Sequence, residues 1–120
     1  MANTTVIRPA GKTVALSVTN TVHASTLVAN SINDQVNFAA FQNTGASPVA
    51  IAFSATSPAP NATFPVDGTV GDYILPANMS YPVTLAVPVG NYPATGFYMT
   101  AISNSAIASI VYVTPVADQS

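Results

Sequence analysis

Three segments of the chain alternate large apolar side chains with small ones at a strict period of two. Val14, Leu16 and Val18 alternate with Ala15 and Ser17; Val49, Ile51 and Phe53 with Ala50 and Ala52; Val83, Leu85 and Val87 with Thr84 and Ala86. Successive side chains of a pleated strand point to opposite faces, so each segment reads as a strand with one buried face and one face of small residues. On a helix the same pattern would scatter its apolar positions around the axis. Val and Ile together number 22 against 4 Leu, which favours pleated structure because β-branched side chains are stiff in a helix. Further runs at residues 24–29, 37–42, 73–75, 97–102 and 109–114 bring the expectation to eight short strands. No segment combines a 3.6-residue period with capping residues, and no helix longer than a single turn is expected.

Proline punctuates these runs. Five of the ten Pro precede Val, at Pro48, Pro65, Pro82, Pro88 and Pro115. A residue without an N–H is tolerated where a strand opens or closes, and it blunts a sheet edge against uncontrolled pairing. The run from Asn43 through Thr44, Gly45, Ala46 and Ser47 to Pro48 is the clearest turn, read as a hairpin, and Asn104 with Ser105 marks a shorter one. The expected fold is all-β: a single-domain antiparallel β-sandwich of about eight strands spanning residues 13–120, preceded by an extended arm at residues 1–12. Residues 56–70 form the one long irregular stretch, and an apolar Phe64 within it argues for a loop docked on the body.

Charge is scarce. Arg8, Lys12, Asp34, Asp67, Asp72 and Asp118 are the only six charged residues, and Thr, Ser and Asn number 14, 11 and 10. About a quarter of an ordinary soluble domain is charged. A surface of neutral polar residues stays hydrated yet can be dried against another protein without burying ions. With two cations there is no stripe to neutralise several phosphates, so direct nucleic-acid binding is not expected. No apolar run reaches the roughly 18 residues of a membrane span, and the start of the chain carries no secretory pattern. The absence of Cys removes disulfides and thiolate chemistry.

Candidate chemistry is thin. His23 and Ser25 would share a strand face, with Asp34 the nearest acid, but nothing marks an oxyanion site. Asp67 and Asp72 flank a Gly-containing loop. Two carboxylates fall short of a calcium loop's ligand set, and Asx turns account for them. No cofactor, metal or catalytic residue is assigned. Of the aromatic residues beside Pro, Phe64 reads as an interface residue, whereas Tyr81 and Tyr92 read as closing the sandwich ends.

The layout of the whole chain resembles the small structural proteins of tailed bacteriophages, including capsid decoration or cement proteins. The resemblance is carried by the Thr-rich start from Asn3 to Pro9, the segment from Phe41 to Ala50, the segment from Tyr73 to Ala77, and the closing runs from Thr100 to Ser103 and from Ile110 to Pro115. It implies a β-sandwich of jelly-roll topology, located on the outer capsid surface of a virion, that binds across major capsid subunits and forms a homo-oligomer. Its contacts would come from the arm and the long loop, with Thr4, Val6, Arg8, Lys12, Phe64, Asp67 and Asp72 as interface residues. A tail or head-to-tail subunit and a carbohydrate-binding or adhesin module are the alternatives, and an enzyme comes last.

Overall fold

A computed structural model describes residues 7–29, 38–88 and 96–118. Among them run nine strands and no helix: β1 (Ile7–Pro9), β2 (Val14–Val18), β3 (Thr26–Ala29), β4 (Phe38–Asn43), β5 (Val49–Ser54), β6 (Tyr73–Leu75), β7 (Val83–Ala86), β8 (Gly96–Ser103) and β9 (Ser109–Asp118). Two antiparallel sheets face each other. The five-stranded sheet runs β1-β9-β4-β7 with β2 also on β9, and the four-stranded sheet runs β3-β8-β5-β6. From β2 onward the pairing is nested: β2 with β9, β3 with β8, β4 with β7 and β5 with β6. The chain therefore behaves as one long hairpin rolled across both sheets. All eight expected strands are present, and the sandwich is as expected.

The apolar set of each alternating run faces inward. Leu16, Val18, Phe41, Ile51, Leu75, Met99, Val111 and Val113 form the core, and three rings bridge the sheets. Phe41 of β4 lies 5.3 Å from Phe53 of β5 and 6.4 Å from Phe97 of β8, while Phe53 and Phe97 meet edge-on at 88°. Buried rings of this kind contribute about 0.5–1.5 kcal/mol per pair beyond their area.

The ninth strand corrects the arm. Ile7, Arg8 and Pro9 pair with Asp118, Ala117 and Val116 on the side of β9 that β2 also occupies. Between them Ala10 to Thr13 lie opposite only Thr114 and Pro115, so β1 and β2 form one edge strand interrupted by a bulge. The Ala10 N–H donates to the Pro115 carbonyl at 2.7 Å across that bulge. From Ile7 onward the expected arm is part of the sheet. A three-residue run containing Pro carries too little periodicity to announce a strand, and its pairing is fixed by β9, more than a hundred residues away.

The expected hairpin at Asn43 to Pro48 is also corrected. β4 and β5 lie in different sheets, so this turn arches over the core from one layer to the other. The same holds for the turn at Asn104 and Ser105, between β8 and β9. Asn, Gly and Ser supply the same local turn chemistry in either geometry, and only the partners of the flanking strands decide between them.

Candidate interface

The β2–β3, β4–β5, β6–β7 and β8–β9 connections gather at one end of the sandwich and are tied to one another. The Ser103 N–H donates to the Thr19 carbonyl and the His23 N–H to the Ala101 carbonyl, each at 2.8 Å; the Asn78 N–H donates to the Gly45 carbonyl at 2.9 Å. Asn43, fully buried, is the hub. Its Nδ2 donates to the Ser47 carbonyl at 2.8 Å and its Oδ1 accepts the Gly45 N–H at 3.0 Å, while its carbonyl accepts the Met79 N–H. Gly45 passes so close to the β8–β9 turn that a Cβ there would stand 2.5 Å from Ser109 Cα. Backbone cannot yield to that, so the position requires glycine.

No charged residue occurs in the four connections of this end, and none of the six charges lies on β2 to β8. Two large apolar side chains nevertheless project from it: Tyr81 is 81 % exposed and Ile107 is 78 % exposed. Tyr81 does not close the sandwich as expected. Pro82 follows it, directly before β7. Tyr92 lies outside the described residues.

The outer faces of the two sheets differ. On the four-stranded sheet, Ala52 and Thr100 pair across β5 and β8 on the side away from the core, and with Ala50 they are buried. Over Thr100 lies the long β5–β6 loop. The Thr100 hydroxyl donates to the Pro60 carbonyl and accepts the Ala62 N–H at 2.9 Å, and Ser25 Oγ accepts the Ala59 N–H at 3.0 Å. Ala59 and Ala62 are buried and Phe64 only half-buried, so small residues, not the aromatic ring, dock the loop. On the outer face of the five-stranded sheet, by contrast, Ala15, Ser17, Thr84, Ala86 and Tyr112 are exposed. In register across it stand Ala15, Tyr112 and Gln42, and next to them Thr114, Ala40 and Thr84.

Beyond its docked part the long loop projects as a small hairpin. Asp72 Oδ2 accepts the Thr63 N–H at 2.7 Å and the Asp72 N–H donates back to the Thr63 carbonyl at 2.8 Å, clamping the base. Gly71 passes Pro65 so closely that a Cβ would meet the Pro65 nitrogen at 2.3 Å. At the tip, Asp67 and Gly68 turn between Val66 and Thr69, closed by the Thr69 N–H on the Val66 carbonyl. Val66 and Val70 beside it are exposed. Asp72 is thus a clamp across the loop, not the Asx turn expected ahead of β6.

Of the expected interface residues, Phe64, Asp67 and Asp72 share one loop hairpin, and Arg8 and Lys12 lie apart from them on the other sheet. Thr4 and Val6 lie outside the described residues; Arg8 is in β1, and Lys12 is exposed in the edge bulge. His23 Nδ1 donates to the Ala24 carbonyl at 2.9 Å and Ser25 Oγ serves Ala59, so the two side chains are engaged with different partners. Asp34 lies outside the described residues. Among the described residues no group of three or more His, Cys, Asp or Glu is placed to hold a metal ion. No described helix is long and apolar enough to cross a membrane. Compared with known proteins, the chain matches no family model, no curated protein and no solved structure.

Proposed function

We propose that this protein is a virion structural component that decorates an assembled capsid, seating its charge-free loop end on the major capsid subunits. The observation that carries the reading is the pairing of rigidity with neutrality at that end. Its loops are cross-tied by backbone hydrogen bonds, it has no ion to desolvate, and Tyr81 and Ile107 stand out from it as anchors. Interfaces concentrate their energy in such apolar anchors set in neutral polar surroundings. The nested pairing of β2 to β9 supports reading the sandwich as a jelly roll, an architecture used in viral capsid and lectin domains. Fold alone does not select among those uses. Neutrality favours the capsid, because many copies on a repeating shell multiply a modest contact into stabilisation of the whole particle.

The test is occupancy on purified particles assembled with the chain's own neighbouring structural gene products. The double variant Tyr81→Asp, Ile107→Asp should keep the wild-type circular dichroism and bind shells about 30-fold more weakly, the loss of roughly 2 kcal/mol that hot-spot anchors carry. Undiminished occupancy would remove this end from the contact. Recovery of the wild-type chain only in tail fractions would move the protein to the tail or head-to-tail class.

A further inference from the structure

We propose that the Asp67–Gly68 linkage, at the tip of the hairpin between β5 and β6, is a site of spontaneous backbone isomerisation to isoaspartate. The chemistry needs only the chain and water. The Gly68 nitrogen attacks Cγ of the protonated Asp67 carboxyl, a C–N bond forms, and the carboxyl hydroxyl leaves with the amide proton as water. Water then adds to either carbonyl of the five-membered succinimide. Opening at the former main-chain carbonyl routes the backbone through the side chain and gives isoaspartate, with no net gain or loss of atoms.

Asn closes the same ring with loss of ammonia, so selectivity lies in which backbone nitrogens are free to attack. An N–H that already donates a hydrogen bond must first give it up. Asn20, Asn43, Asn61, Asn78 and Asn104 are each followed by such an N–H. The Thr21 N–H donates to Thr19 Oγ1 at 3.3 Å, that of Thr44 to the Ile110 carbonyl at 3.0 Å, and that of Ala62 to Thr100 Oγ1 at 2.9 Å. The Met79 N–H donates to the Asn43 carbonyl at 2.9 Å and the Ser105 N–H to Ser103 Oγ at 3.0 Å. Asp72 is held in another way, because its carboxylate accepts the Thr63 N–H. The tip differs from all of these. Its closing bond comes from Thr69, one residue past Gly68, and so does not engage the attacking nitrogen. Residues 66–71 are exposed throughout, and a segment with so few buried contacts opens locally at little cost. Gly68 has φ +78°, and nothing stands within 4 Å of the point where a Cβ would be, so the ring has room to form. Isoaspartate would add one methylene to the main chain of this turn. The Val66–Thr69 bridge should then open while the clamp between Asp72 and Thr63 keeps the base closed.

The reaction is independent of any shell contact. The full chain, folded and unfolded in guanidinium chloride, is incubated near neutral pH, and each site is compared with itself in the two states, which cancels intrinsic reactivity. A protease that cuts before aspartate divides the chain ahead of Asp34, Asp67, Asp72 and Asp118. Isoaspartate blocks the cut at 67 and leaves residues 34–71 joined. That joined peptide should accumulate in the folded chain within about threefold of its unfolded rate. Deamidation at Asn43 and Asn61, read by mass, should be slowed at least about tenfold by folding. Ser103→Ala, which frees the Ser105 N–H, should speed deamidation of Asn104 in the folded chain by about 2- to 10-fold. An Asn104 left unchanged by that substitution would overturn the role given to the hydrogen bonds. A joined peptide that forms more than about tenfold more slowly in the folded chain, or an Asn43 or Asn61 that reacts as fast folded as unfolded, would overturn the proposal.

Discussion

The two outer sheet faces are built from the same kind of residue and end in opposite states. On the four-stranded sheet, Ala50, Ala52 and Thr100 are 0, 8 and 1 % exposed, and the long loop is bonded over Thr100. On the five-stranded sheet, Ala15, Ser17, Thr84 and Ala86 are open and Tyr112 is 42 % exposed. The covered face demonstrates within one chain what a neutral surface of small side chains permits. A loop can lie flat on it, and a single hydroxyl, that of Thr100, satisfies both an N–H and a carbonyl of the incoming backbone. The scarcity of charge is therefore two features in one: a condition for intramolecular cover on one side, and a bare face on the other.

The sharpest way to break the comparison is to place the same charge on both faces. Ala50→Lys introduces an ammonium where no solvent reaches, between Ile74 and Ile102 in register. Either the charge is buried without a partner or the loop lifts and exposes Ala59 and Ala62. The expected loss is about 3–5 kcal/mol, read as a fall in the urea midpoint. A loss below about 1 kcal/mol would mean that the cover is not held against this strand.

A gentler substitution isolates the polar part of the cover. Thr100→Val keeps the shape but leaves the Ala62 N–H and the Pro60 carbonyl without their shared partner. The expected cost is about 2 kcal/mol, since unsatisfied buried groups cost roughly 1–3 kcal/mol. Limited proteolysis should find its first cuts between residues 56 and 62, while the core strands stay protected. Unchanged stability with an unchanged cleavage pattern would show that the alanine contacts alone hold the loop.

These faces also mark where the sequence was legible. The eight alternating or β-rich runs announced eight strands, because a period of two with one apolar set needs no tertiary information. Small residues at Ala50, Ala52 and Ala86 were visible too, but whether they lay under a loop or under solvent was not. That depends on where the β5–β6 connection travels, and its path is set by Thr100 and Ser25 from distant parts of the chain. Phe64 is the aromatic residue of the loop, yet docking rests on Ala59 and Ala62, whose burial leaves no signal in residue type. The immediate neighbours of Asp72 suggest an Asx turn, yet its partner is Thr63, nine positions back. The charge-free loop end was equally hidden. Its four segments are neutral in the sequence, but only the nested topology gathers them at one end with Tyr81 and Ile107.

The smallest expected effect completes the comparison. Ala86→Lys puts on the open face the ammonium that Ala50→Lys puts under the loop. Ala86 is exposed at the end of the edge strand β7, opposite Phe38, so in the monomer the new side chain reaches water directly. Its effect on stability in dilute solution should stay within about 0.5 kcal/mol, as for surface positions without special contacts. A midpoint depressed as far as that of Ala50→Lys would mean that the face is not open at all.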